Sequence, residues 1–365
     1  MEKVISLISN IICYSLILAA VIPCALHIIL EDEDIRLKIT AMGPFSHWSL
    51  GGIGYTTLLM HSKEIKWCVD QVKSDWKAAT KPEVQQVMLK DAKFGRYVVA
   101  FCATFLQGAI LSFNLLKAFT IEIVEAENET KIIRLLPLPA YKGLVPVDTN
   151  PANEIMILVQ IMSGIIVNSS FVGAFSLATI FTAHVSSQLN VLMMWITEFV
   201  DRSAEHEKCA DLKGINDIVE KHLTIYSFIS RIEAIMNEIC FMELFKCTFS
   251  VCLLGYYILM EWADQDFETM TCYALILGSM SFNIFLLCFI GETITEQCCK
   301  VGKTVYISNW YNLPEKVALD LMMILSRSSV ETKITAGKIV HMSFHTFASV
   351  MKTGFAYLNI LLQTV

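Results

Sequence analysis

Apolar residues in this chain fall into long blocks free of Asp, Glu, Lys and Arg, rather than into alternating or scattered positions. The blocks run over 4–30, 39–62, 97–116, 155–197, 247–260, 269–291 and 339–365, the last interrupted only by Lys352. A bilayer core takes roughly 20 residues of helix, and an open sheet edge cannot sit in lipid. Seven transmembrane helices are therefore predicted. The fifth block is short, so its span is extended back to 240, which places Glu243 and Lys246 in its first turns, where long side chains can reach an interface. The fourth is too long, and only its part up to 181 is assigned to the membrane. The predicted spans are 4–30, 39–62, 97–117, 155–181, 240–260, 269–291 and 339–363. The first exceeds the apolar core of a usual signal peptide and is read as a retained span, bent at Pro23.

Helical spacing persists between the spans. In the fourth connection Ile215, Ile218, Val219, Ile225, Ile229, Ile232 and Met236 are patterned against charge. After Leu313-Pro314, Val317, Leu321, Ile324 and Leu325 form an amphipathic stretch too short to span. Regions 198–239 and 292–338 are accordingly expected to form a cytosolic helical anchor. The fold class is an all-α membrane protein, a single transmembrane domain whose last segment splits into a short cytosolic helix and a final span.

Orientation follows from the cations in the connections. The N-terminus and connections two, four and six hold 21 Lys and Arg, counting Lys246, against 6 in connections one, three and five. This puts the N-terminus in the cytosol and, with seven spans, the C-terminus outside, the inverse of a G-protein-coupled receptor. Asn128-Glu129-Thr130 is then an N-glycosylation sequon on the outer side, with Asn128 the acceptor. All 12 cysteines lie in spans or cytosolic connections, so no disulfide framework is expected. The outer connections carry 14 carboxylates against 6 cations, and an acidic mouth would concentrate cations.

Composition agrees: 55% hydrophobic and 17% charged residues over 365 positions exclude an ordinary soluble domain. No Walker A loop, GxGxxG, HExxH or GxSxG is present, and no paired intramembrane carboxylates relay protons. The chain is not expected to be an enzyme, and no cofactor, metal or nucleic-acid partner is indicated. Cys298-Cys299 lacks further ligands at metal spacing. The sequon at Asn168 lies inside span four, where its amide suits helix–helix hydrogen bonding.

The last span sorts into three faces. Ser343, Thr346, Val350, Thr353, Tyr357, Ile360 and Thr364 form one stripe, His345, Ser349, Lys352, Ala356, Asn359 and Gln363 a second, and Phe344, Phe347, Met351, Phe355, Leu358 and Leu362 the third. So much polar surface must face protein or a water-filled conduit. The pattern leaves both readings open.

Several runs in the chain are similar to those of the insect odorant receptor family. They are His222-Leu223-Thr224-Ile225-Tyr226, leading to Ser227, Phe228 and Glu233; Tyr306-Ile307-Ser308-Asn309-Trp310-Tyr311 with Leu313-Pro314; Ser326-Arg327-Ser328-Ser329; Phe344-His345-Thr346-Phe347; and Tyr357-Leu358-Asn359-Ile360-Leu361-Leu362. The resemblance covers nearly the whole chain in topology and roughly its last third in motif. It implies a tuning-type subunit, rather than the co-receptor, of a heteromeric odorant-gated non-selective cation channel. Its partners would be the odorant co-receptor, a small volatile odorant and membrane lipid, in the plasma membrane of olfactory sensory neurons. The last helix would line the pore, with Tyr357 and Ile360 at the gate and Gln363 and Thr364 near the outer mouth. Thr364 departs from the apolar residue expected there. The segment before the first span is shorter than usual for the family, either naturally or through an incomplete gene model. Gustatory-type receptor channels share the topology and the Tyr-x5-Gln ending, here Tyr357 and Gln363, and the Trp310-Tyr311 context favours the odorant branch.

An odorant site should be apolar with one or two polar handles. By the resemblance it lies in the outer half of spans two to six, where the candidates are Phe45, Trp48, Phe113, Leu116, Met162, Ile166, Tyr256, Tyr257 and Tyr273.

Overall fold

The structure, a computed structural model, describes residues 2–32, 35–126, 129–205 and 212–364. Helices dominate: α1 Glu2–Leu30, α2 Ile35–Met60, α3 Ser62–Ala78, α4 Pro82–Phe119, α5 Ala152–Glu205, α6 Leu212–Asp264, α7 Phe267–Ile307, α8 Glu315–Ser329 and α9 Phe344–Thr364. Each predicted span overlaps one of these helices, although the last, 339–363, begins before α9, with Val340–His341 forming a short strand. Among the described residues α1, α4, α5, α6 and α7 are long and apolar enough to cross a membrane by length and composition. The other two predicted spans, α2 and α9, are helices of 26 and 21 residues. Their Gly, Ser, Thr and His content dilutes the apolar signal.

Local chemistry sets several boundaries. Pro82 opens α4, where its missing N–H costs no helical bond. Asp266 caps α7, accepting from the Thr269 backbone N–H at 3.2 Å and its hydroxyl at 2.7 Å. The sequence pattern did not anticipate two small hairpins. One pairs β1, Ile121–Ala126, with β2, Glu129–Arg134, and the other pairs β3, Thr335–Ala336, with β4, Val340–His341. The first marks one end of the bundle, called here the hairpin end. α3 and α8 lie at the other.

Rise per residue explains the architecture. α5 has 54 residues and α6 has 53, so each runs about 80 Å, against a hydrocarbon core of about 30 Å. Each is therefore longer than one crossing requires, and over 198–239 and 292–338 the far ends of α5, α6 and α7 pack with α3 and α8. Val185, Leu189, Leu192, Ile196 and Val200 of α5 are buried there in the same core as Ile215, Ile229 and Ile232 of α6, Ile294 and Val301 of α7, and Leu321 and Ile324 of α8.

Polar contacts stitch this end. Asp75 of α3 is held by His184 Nε2 of α5 at 2.9 Å and Lys221 Nζ of α6 at 3.0 Å. Burial pushes the Asp75 carboxyl up, but the His184 hydrogen bond and the Lys221 charge outweigh it, leaving it below the usual carboxylate range. The His222 ring lies 4.7 Å from that of Tyr226, and the Arg327 guanidinium lies 4.1 Å over the other partner of the stack, Tyr226. Burial, then the Arg327 charge, push His222 down to about 4.

One expectation is corrected. Glu243 and Lys246 do not reach an interface: their side chains are 1% and 2% exposed and pair with each other inside the bundle. The Lys246 ammonium also sits 3.5 Å from the centre of the Phe171 ring. The pair can lie there because each charge is neutralised within one helical turn.

Candidate functional site

Five of the nine candidate ligand residues come together. At the hairpin end Phe113, Tyr256, Tyr257 and Tyr273 are buried in one cluster with Ile110, Leu253, Cys272, Ile276, Met280 and Leu358, and Leu116 packs against it. The Tyr273 ring lies 5.4 Å from Tyr257 and 6.4 Å from Phe113. Tyr257 donates its hydroxyl to the Ile39 carbonyl at 2.6 Å, tying α6 to α2. The buried hydroxyl of Tyr256 finds no protein partner among the described residues.

Three further candidates lie in the adjoining main core. Trp48 is fully buried and donates its indole N–H to Ser163 Oγ at 2.9 Å, while Phe45 and Ile166 are half-buried against that core. Met162 is separate: at 44% exposure it points out of the bundle. Ile155, Leu158, Met162 and Ile165 are all exposed and form one apolar face of α5, the face a membrane helix offers to lipid.

Sequence reasoning missed two members. Asn114, next to Phe113, is wholly buried, and neither of its amide atoms has a partner among the described residues. A lone amide inside the uncharged block 97–116 was the available signal. Leu358 belongs to the aromatic cluster although it sits on α9, so the cluster and the last helix share a side chain.

α9 packs on α6 through small residues. A Cβ on Gly354 would meet Val251 at 2.7 Å, and one on Gly255 would meet Leu358 at 2.7 Å. Thr346, Val350, Gly354 and Leu358 form the buried stripe. His345, Ser349, Lys352, Ala356, Asn359 and Gln363 are all exposed, so the polar stripe faces away from its own bundle. Tyr357 and Ile360 are 52% and 57% exposed beside it. The side chain of Thr364, and Asn128 altogether, lie outside the described residues. The intramembrane Asn168 bonds as expected, its amide donating to the Leu106 carbonyl at 3.2 Å and to Gln107 Oε1.

The 7tm odorant receptor family profile matches residues 38–355. The chain belongs to the odorant receptor family. Odorant receptor 10 of Aedes albopictus is 23% identical over 233 residues, covering 63% of this chain and 60% of that one. Odorant receptor 13a of Drosophila melanogaster is 21% identical over 240 residues, covering 62% and 57%. The chain thus spans three-fifths or less of the length of these curated relatives. The fold is that of the insect olfactory receptor OR5 from Machilis hrabei, with a TM-score of 0.80 at 17% identity, covering 98% of this chain and 89% of that one. The complex of that receptor with eugenol matches with a TM-score of 0.79. Two of the runs that resemble the family meet in space. The His222–Tyr226 run and the Ser326–Ser329 run, a hundred residues apart, meet in the stack of His222, Tyr226 and Arg327.

Proposed function

We propose that the chain is the ligand-tuning subunit of a heteromeric, odorant-gated, non-selective cation channel, assembled with the odorant co-receptor in the plasma membrane of olfactory sensory neurons. Its N-terminus lies in the cytosol and its hairpin end outside, where Asn128 accepts glycan. The observation that carries this reading is the double face of α9. One side is held to the aromatic cluster through Leu358, and the other presents six residues that include Lys352, Asn359 and Gln363 to whatever surrounds the subunit. A polar stripe in a membrane must meet water or protein, and a pore shared between subunits supplies both.

Small volatile apolar ligands bind among Phe113, Leu116, Tyr256, Tyr257 and Tyr273, with Phe45, Trp48 and Ile166 as the neighbouring wall. Met162 faces lipid and drops out of the pocket. Ligand volume displaces Leu358 and favours the packing in which α9 leaves α6, which requires tighter binding to that state. Tyr357 and Ile360 form the gate, with Gln363 and Thr364 at the outer mouth. The test is whole-cell current from cells co-expressing this chain and the co-receptor under G-protein blockade. Odorant-evoked current absent with co-receptor alone supports the reading. Silence across a broad panel, despite surface expression, refutes it.

A further inference from the structure

Far from the aromatic cluster, α3, α4 and α5 enclose a cavity of about 360 Å³. Trp76 of α3, Met88, Arg96 and Val99 of α4, and Ile180 of α5 stand in its wall. Gly95 and Ala183 line it where the two long helices touch, and a Cβ on Gly95 would meet that of Ala183 at 3.1 Å. Two of its polar side chains are already engaged. His184 holds Asp75 at 2.9 Å, and the Ser187 hydroxyl donates to the His184 carbonyl at 2.7 Å.

Arg96 is different. It is exposed and pairs with no carboxylate among the described residues, and no carboxylate is among the residues that line the cavity. Lys93, one turn earlier on α4, is likewise exposed and unpaired among the described residues. Asp91 lines a separate cavity that shares only Gly95 and Ala183 with this one, and there accepts from Asn190 Nδ2 at 3.3 Å. An apolar recess with a free guanidinium in its wall complements an amphiphile whose head is anionic.

We propose that this cavity seats an anionic phospholipid, its phosphate on Arg96 with Lys93 beside it and the first part of an acyl chain in the recess. Arg96 immediately precedes the predicted span 97–117, which sets its guanidinium at the level of the head groups, while Val99 and Ile180 fall within the predicted spans. The planar fork of Arg matches two phosphate oxygens at once. A free phosphate ion could use the same fork, but it would leave the apolar wall uncovered. The orientation proposed above enters only in naming the leaflet, the cytosolic one, where anionic lipids are concentrated.

The test is the rise in Tm of the purified full-length receptor in detergent, titrated with phosphatidylserine, phosphatidylcholine or inorganic phosphate. Phosphatidylserine should raise Tm at the lowest concentration. Arg96→Gln should shift that midpoint upward about fivefold, equivalent to about 1 kcal/mol, and Lys316→Gln, which removes an exposed cation from α8, should not. Ala92→Phe places a ring in the cavity, which Ala92 lines, and should abolish the response with Arg96 still present. Should Ala92→Phe fail to fold, Arg96→Gln decides, because an exposed side chain is not needed for packing. Equal midpoints for wild type and Arg96→Gln, equal losses in Arg96→Gln and Lys316→Gln, or a full response in a folded Ala92→Phe overturns the proposal. So does an equal rise with phosphatidylcholine, which removes the selection for charge, or with inorganic phosphate, which removes the lipid. None of these outcomes bears on odorant gating, and a receptor silent to odorants leaves them all readable.

Discussion

The contact between α9 and α6 gives the sharpest prediction, since a single methyl group tests it. Gly354→Ala places a Cβ 2.7 Å from both Cβ and Cγ1 of Val251, where ordinary contact begins at 3.4 Å, and 3.3 Å from the Thr248 carbonyl. Val251 is fully buried, so it has no free side to move toward. Relief must come from α9 sliding or tilting off α6. Overpacking of this kind costs about 1–3 kcal/mol. That strain is borne in the packed arrangement and released when the helices part. If parting opens the channel, the resting equilibrium moves toward open by roughly 5- to 150-fold. The assay is basal whole-cell current without odorant, normalised to surface protein. Gly354→Ala should leak and respond to lower odorant concentrations. Gly108→Ala, whose Cβ meets nothing within 4 Å, is the control and should behave as wild type. Equal resting currents in all three proteins, with unchanged odorant sensitivity, would refute the idea that α9 rests closed against α6.

Three further outcomes are expected. Lys246→Met strands the Glu243 carboxylate and should cost about 3–5 kcal/mol, seen as a lower Tm and reduced surface expression, whereas Lys246→Met with Glu243→Gln should recover most of the loss. His222 is held neutral, with its pKa pushed down to about 4, so it contributes stability above about pH 6.5 that drains as pH falls toward 4, about 2–3 kcal/mol in all. His222→Gln should flatten the Tm of the purified receptor against pH across that window, and an unchanged slope would show that other groups set it. Asn128→Gln should abolish a glycosidase-sensitive mass shift, and a wild-type chain without that shift would count against an outer hairpin end.

What the sequence made legible was whatever run length and period encode. Uncharged blocks mark membrane helices because lipid tolerates no charge without a partner, so α1, α4, α5 and α7 were readable directly. How far α5 and α6 continue beyond the bilayer was not, because a charged amphipathic segment looks the same whether it is a separate helix or the end of a longer one. Burial was the harder question. In water an apolar residue points inward, but in lipid it satisfies either side, which is why Met162 could be assigned to a pocket although it faces out. Glu243 and Lys246 were misplaced for the complementary reason: a charge near the end of a span ordinarily escapes to the interface, and only the partner one turn away allows it to stay. The Asp75–His184 contact joins residues 109 positions apart, and no periodicity within either helix announces it. Of the candidate site, the aromatic members were readable as types at a depth. Their assembly with Leu358 on α9 depended on how α6 and α9 cross.

The buried pair on α6 has an electrical consequence. Work done by a membrane potential on a moving helix scales with the net charge carried through the field. Glu243 and Lys246 travel together within one turn and sum to nothing, so the pair itself contributes no gating charge to a tilt of α6. If the chain gates a channel as proposed above, this buried pair adds nothing to the voltage dependence of that gating.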